Sequence, residues 1–152
     1  MTPKRALVVD DSEDMREFIK TALPDFVFDA CATLECAFRF IASNTYDLIV
    51  LDPALEDSPA QNTIAQLAGF IALAGDASVL VITGHPTALK DKPIPADALL
   101  LKPFKPDQLD AAVALAAANN SPTKTRPLTT LLLAATRAAL GPAAFAFRHA
   151  TV

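Results

Sequence analysis

The sequence predicts an α/β domain built on a parallel sheet with helices on both faces. Five short apolar runs, at residues 5–10, 26–31, 46–52, 78–83 and 98–101, are the first observation. They are near-continuous rather than alternating, as strands buried on both faces must be. The segments between them mostly carry apolar residues at helical spacing, and strand alternating with helix is the pattern of a parallel sheet. Composition agrees with one globular domain and an appended element: 152 residues, 52% hydrophobic and 20% charged, enough to bury a core without staples.

Each element has its own punctuation. RALVVD opens the sheet and ends in acid. Ser12 can cap the helix that follows, Met15, Phe18, Ile19 and Leu23 recur at its spacing, and Pro24 stops it. FVFDAC at 26–31 is the second strand. Thr33 can cap a second helix carrying Leu34, Phe38 and Ile41 on one face. YDLIVLD at 46–52 is the clearest buried strand, again ending in acid. A helix within 59–74 carries Ile64, Leu67 and Ile71, with Leu73 at its end; SVLVIT at 78–83 is the fourth strand. Pro86, Pro93 and Pro95 allow only a short helix before ALLL at 98–101. Pro106 and Asp107 start a last helix with Leu109, Val113 and Ala116 inward.

In an open parallel sheet the site lies beyond the carboxyl ends of the strands. The polar residues there are few: Asp10 and Asp11 after the first strand, Asp52 after the third, Thr83 at the fourth and Lys102 after the fifth. Three carboxylates converging on one point repel each other. A hard divalent cation removes that repulsion, and Mg²⁺ suits a site of a few carboxylates and retained waters. A carboxylate can also serve as a nucleophile that becomes an aspartyl phosphate. Each residue has a plainer reading: Asp10 and Asp11 as acids at a helix start, Asp52 as a turn residue before Pro53, Thr83 as a strand-end hydroxyl, Lys102 as a solvated cation. His85 reads as a surface loop residue. The functional reading rests on all five occurring together.

The segments LVVDDSEDMREF, YDLIVLD, VLVITGH, ALLLKPF and KPDQL, in this order and at these separations, resemble the response-regulator receiver domain over about residues 4–118. The resemblance implies a flavodoxin-like strand order 2-1-3-4-5, a phosphoacceptor at Asp52, Mg²⁺ held by Asp10, Asp11, Asp52 and the backbone carbonyl of Ala54, contacts to the phosphoryl group from Thr83 and Lys102, and a cis bond before Pro103. It also implies a sensor histidine kinase or phosphotransfer protein as donor, in a two-component phosphorelay. Departures touch signalling more than chemistry. Pro53 removes an amide donor after the acceptor, Leu99 stands where many receivers carry an aromatic, and the stretch from Thr83 to Lys102 is short. A degenerate receiver that only docks a partner is therefore the alternative. A nucleotide-binding protein of similar architecture would need a Gly-rich loop after the first strand, and none of the four glycines is there.

The domain reading is a receiver at 1–118, a linker at 119–126 and a helical tail at 127–152. The tail from 119 carries Lys124, Arg126, Arg137 and Arg148 and no acid, while the first 118 residues carry a net −8, so tail and body differ in kind. Pro127 starts its helix, Leu128, Leu131, Leu132, Ala135 and Ala139 form its stripe, and Gly141 and Pro142 end it. That stripe must dock, on its own domain or across a homodimer. The last ten residues are left without an element. The tail is too short for a winged-helix reader, so no DNA is expected, and output falls to an unidentified downstream protein. Cys31 and Cys36 read as packed thiols. The amino terminus is neither a signal peptide nor a membrane span, so the expectation is a cytoplasmic protein without membrane contact.

Overall fold

A computed structural model of the chain describes residues 2–53, 63–84, 96–120 and the strand at 144–146. The elements are β1 (Lys4–Val9), α1 (Glu13–Ala22), β2 (Phe26–Cys31), α2 (Leu34–Ser43), β3 (Leu48–Leu51), α3 (Thr63–Leu73), β4 (Ser78–Thr83), β5 (Ala98–Leu101), α4 (Pro106–Asn119) and β6 (Ala144–Ala146). The first five strands are parallel in the order β2-β1-β3-β4-β5, the expected doubly wound arrangement. β6 adds a sixth, antiparallel strand outside β5, with Leu99 opposite Phe145. β6 falls within the stretch read as a helical tail, past the Gly141 that ends its helix, and three residues carry too little pattern to predict a strand. The helix expected over 127–140 and the short helix before β5 lie outside the described residues.

Local chemistry sets the ends of the helices. The Ser12 hydroxyl accepts from the Met15 N–H and the Thr33 hydroxyl from the Cys36 N–H, satisfying amides that no earlier turn can reach. Glu13 and Asp14 then sit at the positive end of α1 and Lys20 at its negative end. α4 starts on Pro106, with the Lys105 N–H held by Gln108 Oε1. It runs one residue into the stretch read as linker. Asn119 and Asn120 tie its far end to the backbone carbonyls of Asp97 and Asp76, at 3.1 and 2.6 Å.

The two faces of the sheet bury separate cores. Leu7, Val9, Ile49, Leu51, Val79, Val81 and Leu99 face α2 and α3, against Leu34, Leu67, Phe70 and Ile71. Ala6, Val8, Leu48, Val50, Leu80, Ile82, Ala98 and Leu100 face α1 and α4, against Ile19, Leu23, Leu109, Ala112 and Ala116. This alternation makes the central strands apolar at every position, because each side chain has a helix to meet. Phe70 is fully buried and meets Phe38 edge-on at 5.4 Å, so the core of α3 includes a ring that the sequence reading left out. Leu73 is exposed. Phe18 is also half outside the core, 36% exposed, against the ring of Phe104 at 5.7 Å.

A polar cluster pins α2's side of the sheet. The Arg5 guanidinium pairs with Asp29 at 2.9 Å and lies over the Tyr46 ring. The Tyr46 hydroxyl donates to the same Asp29 oxygen at 2.7 Å. Burial pushes the Tyr46 hydroxyl's pKa upward, and its hydrogen bond to Asp29 adds to this. Burial also pushes the Cys31 thiol up to about 12, with its neighbour Cys36 adding to this. Both cysteines are free thiols, Cys31 buried and Cys36 half-buried.

Candidate functional site

β1 and β3 are neighbours, so their carboxyl ends place Asp10 and Asp52 side by side. The Asp10 N–H is held by the carbonyl of Cys31 at the end of β2, and the Asp52 N–H by the carbonyl of Val9. Both carboxylates are buried. Asp11, the next residue along, is exposed at the rim. One oxygen from each of Asp10, Asp11 and Asp52 can be chosen so that all three lie within 4.8 Å of one another. Two unit charges at that distance repel by on the order of 3 kcal/mol at an effective dielectric of about 20. Positive charge beside the cluster offsets that repulsion.

Lys102 answers it from the end of β5. Its Nζ lies 2.7 Å from Asp52 Oδ2 and 3.0 Å from Asp10 Oδ2. Burial alone would pull the ammonium's pKa down, but the hydrogen bonds and charges of Asp52 and Asp10 outweigh that and raise it. Three carboxylates and one ammonium still leave a formal charge of −2. The remaining donors are hard oxygens, so the residues fit a small divalent cation such as Mg²⁺.

Thr83 stands at the end of the strand between β3 and β5. Thr83 ends β4 almost wholly buried, and its carbonyl accepts the Lys102 N–H at 2.8 Å. The Lys102–Pro103 peptide is cis. Ala54 and His85 lie outside the described residues. Pro53 is buried directly after Asp52, and Leu99 is buried in β5 beside Val81.

Two groups that steady Asp10 escaped the sequence reading. Arg16 donates to the Asp10 carbonyl at 2.7 Å from one turn into α1, and the Ser12 N–H donates to Asp10 Oδ1 at 2.9 Å. Ser12 was legible as a cap. Arg16 reads as an ordinary charged residue on the outer face of a helix, and only the fold brings it back to the strand end. Asp10 thus has one oxygen fixed by backbone and the other by Lys102. A groove of about 560 Å³ at the opposite end of the sheet, lined by Leu23, Phe26, Val113 and Ala117 among others, holds no such convergence.

The model of the response regulator receiver domain family matches residues 6–114, and the chain belongs to that family. No curated protein matches it in sequence. Among solved structures it is similar to a two-component response regulator from Clostridium difficile, 24% identical with a TM-score of 0.62, over 78% of this chain and 99% of that one. A response regulator from Burkholderia pseudomallei, solved with a phosphorylated aspartic acid and a calcium ion, is 24% identical with a TM-score of 0.60, over 76% of this chain and 69% of that one. The receiver domain of a sensor histidine kinase from Pseudomonas aeruginosa, with magnesium in its active-site cleft, is 16% identical with a TM-score of 0.62, over 77% and 99%. At these identities the three show the shared fold. Receiver domains generally accept a phosphoryl group on an aspartate, bind Mg²⁺ in an acidic pocket and interact with histidine kinases or phosphotransfer proteins. Among the described residues no helix is long and apolar enough to cross a membrane.

The donor set predicts a measurable affinity for the cation. Mg²⁺ added to the full chain is expected to raise its melting temperature at millimolar concentration, as any ligand that binds only the folded state must. Asp11→Ala should abolish most of that increment while leaving the fold intact, since Asp11 is exposed. Thermal melts with and without Mg²⁺ check this; an increment unchanged in Asp11→Ala would remove Asp11 from the ligand set.

Proposed function

We propose that this chain accepts a phosphoryl group on Asp52 from a phosphohistidine of a sensor kinase or phosphotransfer protein and signals by protein–protein contact. The observation that carries this reading is the Lys102 ammonium held between Asp52 and Asp10 at the mouth of the sheet. An Asp52 oxygen attacks phosphorus, a new O–P bond forms, and the N–P bond of the phosphohistidine breaks with its electron pair returning to the imidazole. Asp10, Asp11, Asp52 and the Ala54 carbonyl would hold Mg²⁺, which would supply positive charge to offset the phosphoryl oxygens. Lys102 is fixed in advance where negative charge grows, so it needs little reorganisation during transfer. Thr83 stands at the end of the neighbouring strand as a hydroxyl donor to a phosphoryl oxygen. Burial of Asp52 keeps bulk water from its carboxylate, and the backbone bond from Asp52 to Val9 fixes its position.

Incubation of the chain with acetyl phosphate and Mg²⁺ tests this by intact mass. The mass is expected to rise by one phosphoryl group, and the rise should vanish with a chelator and in Asp52→Asn. A docking-only receiver would show no increment in the wild type, and that result would replace the present reading with the binding-module one.

A further inference from the structure

We propose that Cys31 and Cys36 are a redox-sensitive thiol pair: a peroxide joins them in a disulfide within the chain, and the bridge loosens the Mg²⁺ site through Asp10. The bridge itself is independent of the function proposed above; its effect rests on the cation site of that reading. The two cysteines belong to different elements that meet at one point. Cys31 ends β2, buried in the core on the α2 side of the sheet. The chain turns at Ala32 and Thr33, the Thr33 hydroxyl accepts the Cys36 N–H at 3.1 Å, and Cys36 falls in the first turn of α2. From there its side chain packs back on the same core, near enough to act on the Cys31 thiol directly. Both are free thiols. Thiols this close, on elements held together by a helix cap, have little distance to close before a bond can form.

The pair is asymmetric in the way a two-step oxidation requires. Cys36 is half-buried and meets a dissolved peroxide; Cys31 is 5% exposed and is shielded from it. The Cys36 sulfur attacks one peroxide oxygen and the O–O bond breaks. The departing hydroxide takes the thiol proton and leaves as water, so Cys36 becomes a sulfenic acid. The Cys31 sulfur then attacks the Cys36 sulfur. The S–O bond breaks, and the second hydroxide leaves as water with the Cys31 proton. The two thiols have together lost two electrons, and the peroxide has become two waters. The bridge closes only the short loop 31–36, so it removes little chain entropy. It is a switch rather than a staple, and a dithiol reductant reverses it.

The thiols lie directly behind the acidic site. The Cys31 carbonyl accepts the Asp10 N–H at 3.1 Å. The Cys31 sulfur lies 3.9 Å from the carbonyl of Val8 in the neighbouring β1. Arg16, which donates to the Asp10 carbonyl at 2.7 Å, also acts on the Cys31 thiol through its charge. Drawing the Cys31 sulfur toward α2 therefore pulls at the strand end on which Asp10 is hung, and one carboxylate ligand loses its fixed position. Disturbing an outer partner of this kind costs a metal site about tenfold or more in affinity.

The test treats the reduced full chain with hydrogen peroxide and reads its intact mass. The wild type is expected to lose the mass of two hydrogens, within the peptide that spans residues 31–36, and to regain it with a dithiol reductant. Cys31→Ser should stop at a Cys36 sulfenic acid, captured by dimedone. Cys36→Ser should stay unmodified. Mg²⁺ titration followed by melting temperature should show about tenfold weaker binding in the oxidised wild type, and no change in peroxide-treated Cys36→Ser. A wild type that does not lose two hydrogens, whether untouched, oxygenated at one cysteine or linked chain to chain, overturns the bridge. An oxidised chain that binds Mg²⁺ as the reduced chain does overturns the coupling to Asp10. A chain that forms the bridge and loses Mg²⁺ affinity, yet takes up no phosphoryl group when reduced, would remove the phosphoacceptor reading and leave the thiol switch in place.

Discussion

Lys102→Ala is expected to slow phosphoryl uptake on Asp52 by about a hundredfold or more, the usual cost of removing one preorganised electrostatic donor. It is also expected to destabilise the chain when no divalent cation is present. Asp10 and Asp52 then face each other, both buried, without the ammonium that now lies 3.0 and 2.7 Å away. Loss of one partner from a fully buried ion pair costs about 3–5 kcal/mol. The Lys102 side chain is 22% exposed, so water will answer part of the charge and about 1–3 kcal/mol is the expected range. The more discriminating result is its rescue. Mg²⁺ should bind the variant more tightly than the wild type, because one positive charge has left the site, and should restore most of the lost stability. Denaturant melts with and without Mg²⁺, beside a mass-detected time course with acetyl phosphate, measure all three effects. A variant as stable and as reactive as the wild type would mean that Lys102 is a solvated surface cation.

Alkaline pH is expected to unfold the chain well before ordinary lysine titration alone would do so. Cys31 is raised from 9.0 to about 12 and Tyr46 is raised above its ordinary value of 10.0. For a group raised in the folded state, stability is fully present below the unfolded pKa and lost as pH rises toward the folded one. The melting temperature should therefore begin to fall near pH 9, where an unfolded Cys31 would release its proton, and fall faster above pH 10 as Tyr46 joins it. Each unit of difference is worth about 1.4 kcal/mol, so the slope is steep. Lys102 has the same sign, with its loss beginning above 10.5. Tyr46→Phe should cost about 0.5–1.5 kcal/mol at neutral pH through the lost bond to Asp29, yet flatten the decline above pH 10. A decline of equal steepness in Tyr46→Phe would show that Tyr46 is free to ionise in the folded chain.

Much of this molecule was legible because its central strands leave little choice. RALVVD, YDLIVLD and SVLVIT have too many consecutive apolar residues for a one-faced sheet, and their terminal Asp and Thr residues stand out against them. A parallel sheet then brings those ends together, which is why Asp10, Asp52 and Lys102 meet as expected. What stayed hidden depends on contacts between distant positions. Phe18 has the right spacing for the core of α1, but it lies at the margin beside Phe104, which comes just before α4. Phe70 was hidden because α3 is apolar on most sides, so no single stripe stands out. Asn119 and Asn120 read as polar linker residues until Asp97 and Asp76 supply carbonyls for them. β6 has three residues and no alternation to speak of; only the open edge of β5 gives it a reason to be a strand.

Locating the phosphoryl group on the chain decides whether Asp52 is the acceptor. Acyl phosphates are reduced by borohydride, so phosphoaspartate becomes homoserine while free carboxylates are untouched. After incubation with acetyl phosphate and Mg²⁺, reduction and proteolysis, peptide mass spectrometry should find homoserine at position 52 and aspartate at 10 and 11. Homoserine at Asp10 or Asp11, or at none of the three, would contradict the assignment.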